Sequence, residues 1–301
     1  QFDLYWNSEW VYPHDAFKLE PGISESEIAA FRQQSDARME EGRQSEYAQE
    51  LMKAAIALAA NVSDLDFVWS EWLLVYDQPS KVVAKKVTAE THLAPQLLRG
   101  IDQTSEDLIV VSPYFVPGEE FTSYLSELVE RGVRVRILTN SLAANDVSLV
   151  HSGYMRYRKD LVAGGVELFE FRATRNRKLE EKQGRNRIGA SRASLHAKFF
   201  GFDKKYMFIG SFNLDARSVE LNTELGAYFK SPEQARQLAE FFDEEILNIA
   251  YQVKLDEDGD LMWVGLSEDG SQFTLDKEPD TTGWQRFNAR LMSWFVPESQ
   301  L

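Results

Sequence analysis

Two short apolar runs joined by a three-residue turn constrain this chain more than any other feature. The first supplies Leu195, Phe199, Phe200 and Phe202, the second runs from Tyr206 to Ile209, and Asp203-Lys204-Lys205 lies between them. Runs of this length predict two buried strands and a tight turn. Polar residues are interleaved at fixed intervals: His196, Lys198, Asp203, Ser211, Asn213 and, further on, Glu224. Side chains alternate along a strand, so His196 and Lys198, two apart, project from the same face. Gly210 ends the second run and permits the turn that presents Ser211 and Asn213.

Such a set suits attack on a phosphate diester. An imidazole is a nucleophile and proton carrier near neutral pH, with a free pKa of ~6.5. The ammonium of Lys198 and donors from Ser211 and Asn213 would hold the phosphoryl oxygens and offset the growing negative charge. Glu224 is the candidate carboxylate for the other ring nitrogen, fixing its tautomer. Each residue also has an ordinary reading: a structural histidine, a lysine stem laid along Phe199 and Phe200, a turn aspartate, a loop-capping asparagine. Those readings are plausible singly and poor jointly. For Asp203 a structural role and a chemical one stand equally open.

The rest of the chain alternates. Strands are predicted at Asp66–Tyr76, Leu108–Val111, Val133–Thr139, Val166–Phe171 and Glu224–Phe229, with helices near Thr88–Thr104, Glu119–Arg131, Val147–Ala163 and Pro232–Ile249. This predicts an α/β fold with a central mixed, largely parallel sheet flanked by helices. The domain spans residues 63–250. Before it, residues 1–62 read as mainly helical, opened by a Ser24/Glu27 capping box. After it, residues 251–301 read as an extension with turns at Asp258-Gly259 and Asp269-Gly270. It closes on an amphipathic helix, Trp284–Phe295, expected to pack on its own domain rather than on a bilayer.

Composition narrows the partners. There is no cysteine, so disulfides and thiolate metal sites are excluded, and the four histidines show no metal-ligand spacing. No apolar run approaches the ~20 residues of a membrane span. A net charge of −15 argues against broad nucleic-acid binding, which basic surfaces drive. Positive charge is concentrated from Arg172 to Lys198, with nine basic and two acidic residues. Directly before His196, this segment reads as a mobile electropositive lip, with Arg185, Arg187 and Arg192 as candidate phosphate contacts.

The spacing H-x-K-x4-D-x6-G-S-x-N, filled by His196, Lys198, Asp203, Gly210, Ser211 and Asn213, with Glu224 downstream, resembles the phospholipase D superfamily. The blocks FDLYWNS, VSPYFVPGEEF, VRVRILTNSLAANDVSLVHSGYMRYRKDLVAGGVELFE, SRASLHAKFF and EPDTTGWQRF look like the bacterial cardiolipin synthases, over nearly all of the chain. The resemblance implies a phospholipase D-like fold that is one half of a pseudo-symmetric pair. Such enzymes use two motifs: one histidine forms a phosphohistidine and the other protonates the leaving group. Only one complete motif is present here. The expectation is therefore the C-terminal, second-motif portion of a two-motif chain, or a single-motif chain that pairs with a second copy. His196 would be the acid/base, with Lys198, Ser211 and Asn213 on the phosphoryl oxygens and Glu224 orienting His196. Tyr114, Phe115 and His151 are implied to lie near the cleft. The implied function is phosphatidyl transfer onto phosphatidylglycerol to make cardiolipin, with no metal or organic cofactor. Peripheral contact with the cytoplasmic face of the bacterial inner membrane is implied as well. The alternatives are hydrolysis of phospholipid or nucleic acid by the same route, and a non-catalytic half-module.

Overall fold

The computed structural model describes the chain apart from residues 14–15, 18–21, 23, 45–47, 50–51, 54–55, 57–67, 146, 174–193, 268 and 296–301. It divides into two compact units, residues 1–69 and 70–301. In the first, α1 spans Phe2–Trp6 and α2 spans Glu25–Arg43. The expected capping box opens α2: the Ser24 hydroxyl accepts from the Glu27 amide at 3.3 Å, and the Glu27 carboxylate accepts from the Ser24 amide at 2.9 Å. Residues 57–62, the end of the segment expected to be helical, lie outside the described residues.

The second unit is built on one ten-stranded sheet. Its elements in chain order are β1 (Trp72–Tyr76), a 3-10 turn (Pro79–Val83), α3 (Ala94–Asp102), β2 (Asp107–Val111), α4 (Gly118–Glu130), β3 (Arg134–Asn140), α5 (Ser148–Tyr154), α6 (Arg158–Ala163) and β4 (Glu167–Phe171). Then follow β5 (Phe199–Phe202), β6 (Tyr206–Gly210), α7 (Ala216–Glu220), β7 (Leu225–Lys230), α8 (Pro232–Glu244), α9 (Ile246–Ile249), β8 (Ala250–Leu255), β9 (Leu261–Leu266), β10 (Gln272–Leu275) and α10 (Gly283–Phe295). The sheet order is β1-β7-β6-β5-β2-β3-β4-β8-β9-β10.

The α/β class holds, with the helices on both faces of an open sheet. The expected parallel majority does not. Only β2–β3 and β3–β4 pair in parallel, and the other seven pairings are antiparallel. A parallel pair needs a helical crossover, which only α4 and the α5–α6 pair supply between neighbouring strands. The turn at 203–205 and the short links between β8 and β9 and between β9 and β10 are too short for anything but hairpins. Because β8, β9 and β10 continue the same sheet, residues 251–275 complete the domain rather than extend it.

Every residue of β2 is buried, because both of its faces are covered. On one face Leu108 and Val110 join Leu97, Ile101, Leu125, Leu128 and Phe200 in the main core, under α3 and α4. On the other, Ile109 and Val111 meet Ala239, Phe242 and Ile246 of α8 and α9. That second face continues through register into Met207 and Ile209 of β6, Leu225, Ala227 and Phe229 of β7, and Trp72 and Leu74 of β1. Helix α8 contacts β5 and β6. Further along, Ile209 is 50% exposed, Leu225 46% and Trp72 69%. The sheet thus ends in an apolar step on its β1 side.

Helix α10 packs on its own domain, as expected, but leaves most of its aromatic side chains outside. It lies beside α5 with Ala289 as its buried residue, while Trp284, Phe287, Trp294 and Phe295 are exposed. Among the described residues no helix is long and apolar enough to cross a membrane.

Candidate active site

The site forms where the β5–β6 hairpin opens. His196 and Lys198 lie just before β5, and Ser211 and Asn213 just after β6. Because the strands are antiparallel, with Phe199 opposite Ile209, those ends coincide. The Gly210 amide donates to the Lys198 carbonyl at 3.2 Å, joining the two halves of the motif. Asn140, at the end of β3, clamps the approach to His196. Its side-chain oxygen accepts from the Leu195 amide at 3.0 Å and its amide group donates to the Leu195 carbonyl at 3.1 Å. His196 is exposed and Lys198 half-buried, its ammonium donating to the His196 carbonyl at 3.0 Å.

Gly210 stands opposite Gly226 in the β6–β7 ladder. A side chain on Gly210 would lie inside contact distance of the Leu225 carbonyl and 2.8 Å from the Gly226 Cα. This close approach lets the Ser211 amide donate to the Leu225 carbonyl at 2.9 Å, with the Ser211 hydroxyl accepting from the Leu225 amide at 3.1 Å. The same hydroxyl donates to the Glu224 carboxylate in a very short bond. Ser218 donates to the other Glu224 oxygen at 3.0 Å. Its hydroxyl also accepts from the Asn213 amide at 3.2 Å. Glu224 is therefore engaged by two hydroxyls, and among the described bonds none links it to the His196 ring.

Burial pushes the Glu224 carboxyl up, against the Ser211 and Ser218 bonds and the charge of Lys81, which pull it down; Asp215 adds to the rise. Burial also raises Asp215, opposed by its bonds from Ser218 and by Arg217 and Lys198. Asp215 caps α7 by accepting from the Ser218 amide at 2.7 Å. The Asn213 side-chain oxygen is buried without a hydrogen-bond partner.

Asp203 is elsewhere. It occupies the turn at the opposite end of β5, with φ at +51°. Its carboxylate accepts from the amides of Ser105 (3.0 Å), Glu106 (2.7 Å) and Asp107 (3.1 Å) and from the Ser105 hydroxyl (3.1 Å). Burial raises its pKa, but these donors outweigh burial and the net shift is downward. Its role is to pin the hairpin turn to the start of β2, so the structural of its two readings is the one the geometry supports.

Tyr114 is half-buried beside Val116 and Val150. Phe115 and His151, expected near the cleft, are both fully buried. Phe115 bridges to Leu214 and its ring meets Tyr154 at 6.0 Å. His151 meets the Tyr154 ring edge-on, with centroids 5.4 Å apart, and its Nε2 lies 3.7 Å from Glu278. Core packing fixes both, because the apolar and aromatic contacts of α5 close over them. Arg185, Arg187 and Arg192 lie outside the described residues. Among the described residues no cluster of His, Asp and Glu could hold a metal ion.

Several site residues carry no obvious sequence signal. The Ser112 hydroxyl accepts from the Leu214 amide at 3.0 Å, tying the loop after β2 to the Ser211–Asp215 loop. Asp77 accepts from the Glu224 amide at 2.7 Å and pairs with buried Lys81 at 2.8 Å. In sequence Asp77 reads only as part of the Asp-Gln-Pro turn that ends β1.

Comparison with known proteins places residues 97–246 in the family described as cardiolipin synthase, PLD-like domain. Cardiolipin synthase C of Escherichia coli strain K12 is 42% identical over 231 residues, covering 76% of this chain and 48% of that protein. Cardiolipin synthase B of the same strain is 30% identical over 127 residues, covering 42% of this chain and 26% of that protein. The chain thus spans half or less of the length of these relatives. Among solved structures, the phosphatidylserine synthase of Haemophilus influenzae Rd KW20 aligns at 15% identity with a TM-score of 0.45, covering 68% of this chain and 47% of that one.

Proposed function

This chain belongs to the phospholipase D superfamily, close to the cardiolipin synthases, and from that premise we propose that it supplies one of two catalytic motifs for phosphatidyl transfer onto phosphatidylglycerol, forming cardiolipin. The observation that carries the reading is the convergence of His196, Lys198, Ser211 and Asn213 at the open end of one hairpin. In the first step the histidine of the other motif bonds to phosphorus as the P–O bond to the donor lipid's headgroup alcohol breaks. His196, protonated, gives its proton to that oxygen. In the second step the phosphatidylglycerol hydroxyl attacks phosphorus, yields its proton to His196, and the P–N bond breaks. Lys198 and the Asn213 amide balance charge on the phosphoryl oxygens. Ser211, already donating to Glu224, faces the same end.

The apolar step of Ile209, Leu225 and Trp72 supports a paired arrangement. It borders Ser211 and Glu224 directly, and a second phospholipase D-like half, from the same protein or another copy, would cover it. Membrane contact belongs to the same proposal, since the substrates are bilayer lipids. General acid–base catalysis contributes ~10²–10⁴-fold. In a protein with both motifs, His196→Ala should therefore lower cardiolipin formation from labelled phosphatidylglycerol and a second phospholipid by at least that factor. Undiminished cardiolipin in that variant refutes the assignment. Release of phosphatidic acid or nucleotides in place of cardiolipin would favour the hydrolytic reading.

A further inference from the structure

We propose that the buried pair Asp77–Lys81 is the positioning device for the Glu224 carboxylate, and through it for Ser211 and Asn213. The inference rests on the transfer reading only for what the site acts upon. Asp77 follows β1, and both its backbone and its side chain grip Glu224. The Asp77 amide donates to the Glu224 carbonyl at 2.9 Å, and the Asp77 carboxylate accepts from the Glu224 amide at 2.7 Å. The other carboxylate oxygen accepts from the Leu93 amide at 2.6 Å, at the start of α3. Lys81 sits on the 3-10 turn one step further, fully buried. Its ammonium donates to Asp77 at 2.8 Å and to the Ser218 carbonyl at 2.8 Å.

The two residues thus hold both ends of one arrangement. Asp77 fixes the backbone from which Glu224 springs. Lys81 fixes Ser218, whose hydroxyl touches Glu224 on one side and the Asn213 amide on the other. Burying two charges carries a desolvation cost that apolar residues of the same size would avoid. Here the pair gives four fixed hydrogen-bond directions, which apolar residues cannot supply.

The charged and titratable groups around the carboxylate are Lys81 from the turn, Asp77 from the end of β1 and Asp215 from the cap of α7. His92, against the pair, has its pKa lowered by burial and by Lys81. Arg217 and Lys198 act on Asp215. Lys81 is thus the cation that opposes the burial of Glu224. Without it, the carboxyl takes up its proton at higher pH, and a protonated Glu224 no longer accepts from both hydroxyls as an anion.

The test compares the protein carrying both motifs with Lys81→Met and with Asp77→Asn/Lys81→Met, which buries no unpaired charge. Activity per folded molecule is followed across pH in two assays: phosphatidyl transfer, and cleavage of bis(p-nitrophenyl) phosphate, a diester with no lipid part. We expect kcat to fall about 10²-fold, the scale on which a misplaced group costs rate. KM should stay nearly constant, and the acidic limb of the pH profile should move to higher pH in Lys81→Met and by less in the double variant, which removes the Asp77 charge as well. A role confined to stability would lower the melting temperature and leave kcat and the Lys81→Met limb in place, and that result overturns the inference. Loss of diester cleavage with a shifted limb, in a protein that never makes cardiolipin, would support the pair and refute the transfer reading.

Discussion

Asp203 offers the sharpest separation of stability from chemistry, because it completes the motif in sequence yet sits at the far end of β5. Seven residues part it from His196, roughly 20 Å of extended chain at ~3.3 Å per residue. Its carboxylate receives three backbone amides and one hydroxyl, at 2.7 to 3.1 Å. Hydrogen bonds to a charged acceptor are worth ~1.5–3 kcal/mol each when buried, but this turn is partly open to water, so Asp203→Ala should cost about 2–3 kcal/mol altogether. The left-handed φ of +51° adds to that loss, since alanine tolerates this region less well than aspartate or asparagine. Asp203→Asn keeps one acceptor oxygen and should lose about half as much. The pKa shift adds a pH signature. The folded value lies below the unfolded one, so the stabilisation is complete above the unfolded carboxylate pKa and is lost as pH falls through the folded value. The gap between wild type and Asp203→Ala should be full at neutral pH and should close as pH falls below about 4. Urea unfolding at several pH values measures the gap, and turnover per folded molecule measures the chemistry. A variant of undiminished stability with crippled turnover would refute this reasoning.

Arg136 is buried and grips Asp107 with two contacts of 2.7 and 2.6 Å. Removing only the guanidinium, as in Arg136→Leu, should cost about 3–5 kcal/mol, whereas Arg136→Leu/Asp107→Leu should recover most of it. Equal melting of the single and double variants would contradict that. Gly210→Ala forces a side chain against the backbone of Leu225 and Gly226, which cannot rotate away. A loss of about 1–3 kcal/mol is expected, with a larger proportional loss of activity than of stability, because Ser211 hangs from the same crossing. Thermal melts and turnover together check it.

How much was legible follows from the physical range of each signal. The hairpin and its polar residues could be read because strand alternation and turn chemistry are local. The Ser24/Glu27 cap was legible for the same reason. The direction of the strands is not legible, because a strand buried on both faces, such as Leu108–Val111, shows the same apolar run whichever way its neighbours point. Phe115 and His151 stand in sequence blocks around the cleft, but sequence proximity does not reveal which way α5 turns its side chains. Lys81 was invisible. A lysine after a proline turn looks like a surface residue until a partner carboxylate and a carbonyl from 137 positions away enclose it. The exposure of the α10 aromatics is not legible, because an amphipathic pattern states that a helix has an apolar side, not what that side meets.

Strand β1 ends the sheet, and among the described residues no strand pairs with its outer edge. Trp72 and Leu73 stand exposed there, and its five residues include neither proline nor lysine, the usual deterrents to strand addition. Such an edge accepts whatever extended segment reaches it. A β1 edge joined to the opposite β10 edge of the next copy extends without closing, whereas β1 joined to β1, or copies joined through the apolar step beside Ser211, close on a two-fold axis. Solution behaviour therefore distinguishes the two: a discrete particle reports the closed arrangement, and growth with concentration reports the open one. Handling this chain alone is a matter of keeping that margin occupied or dilute.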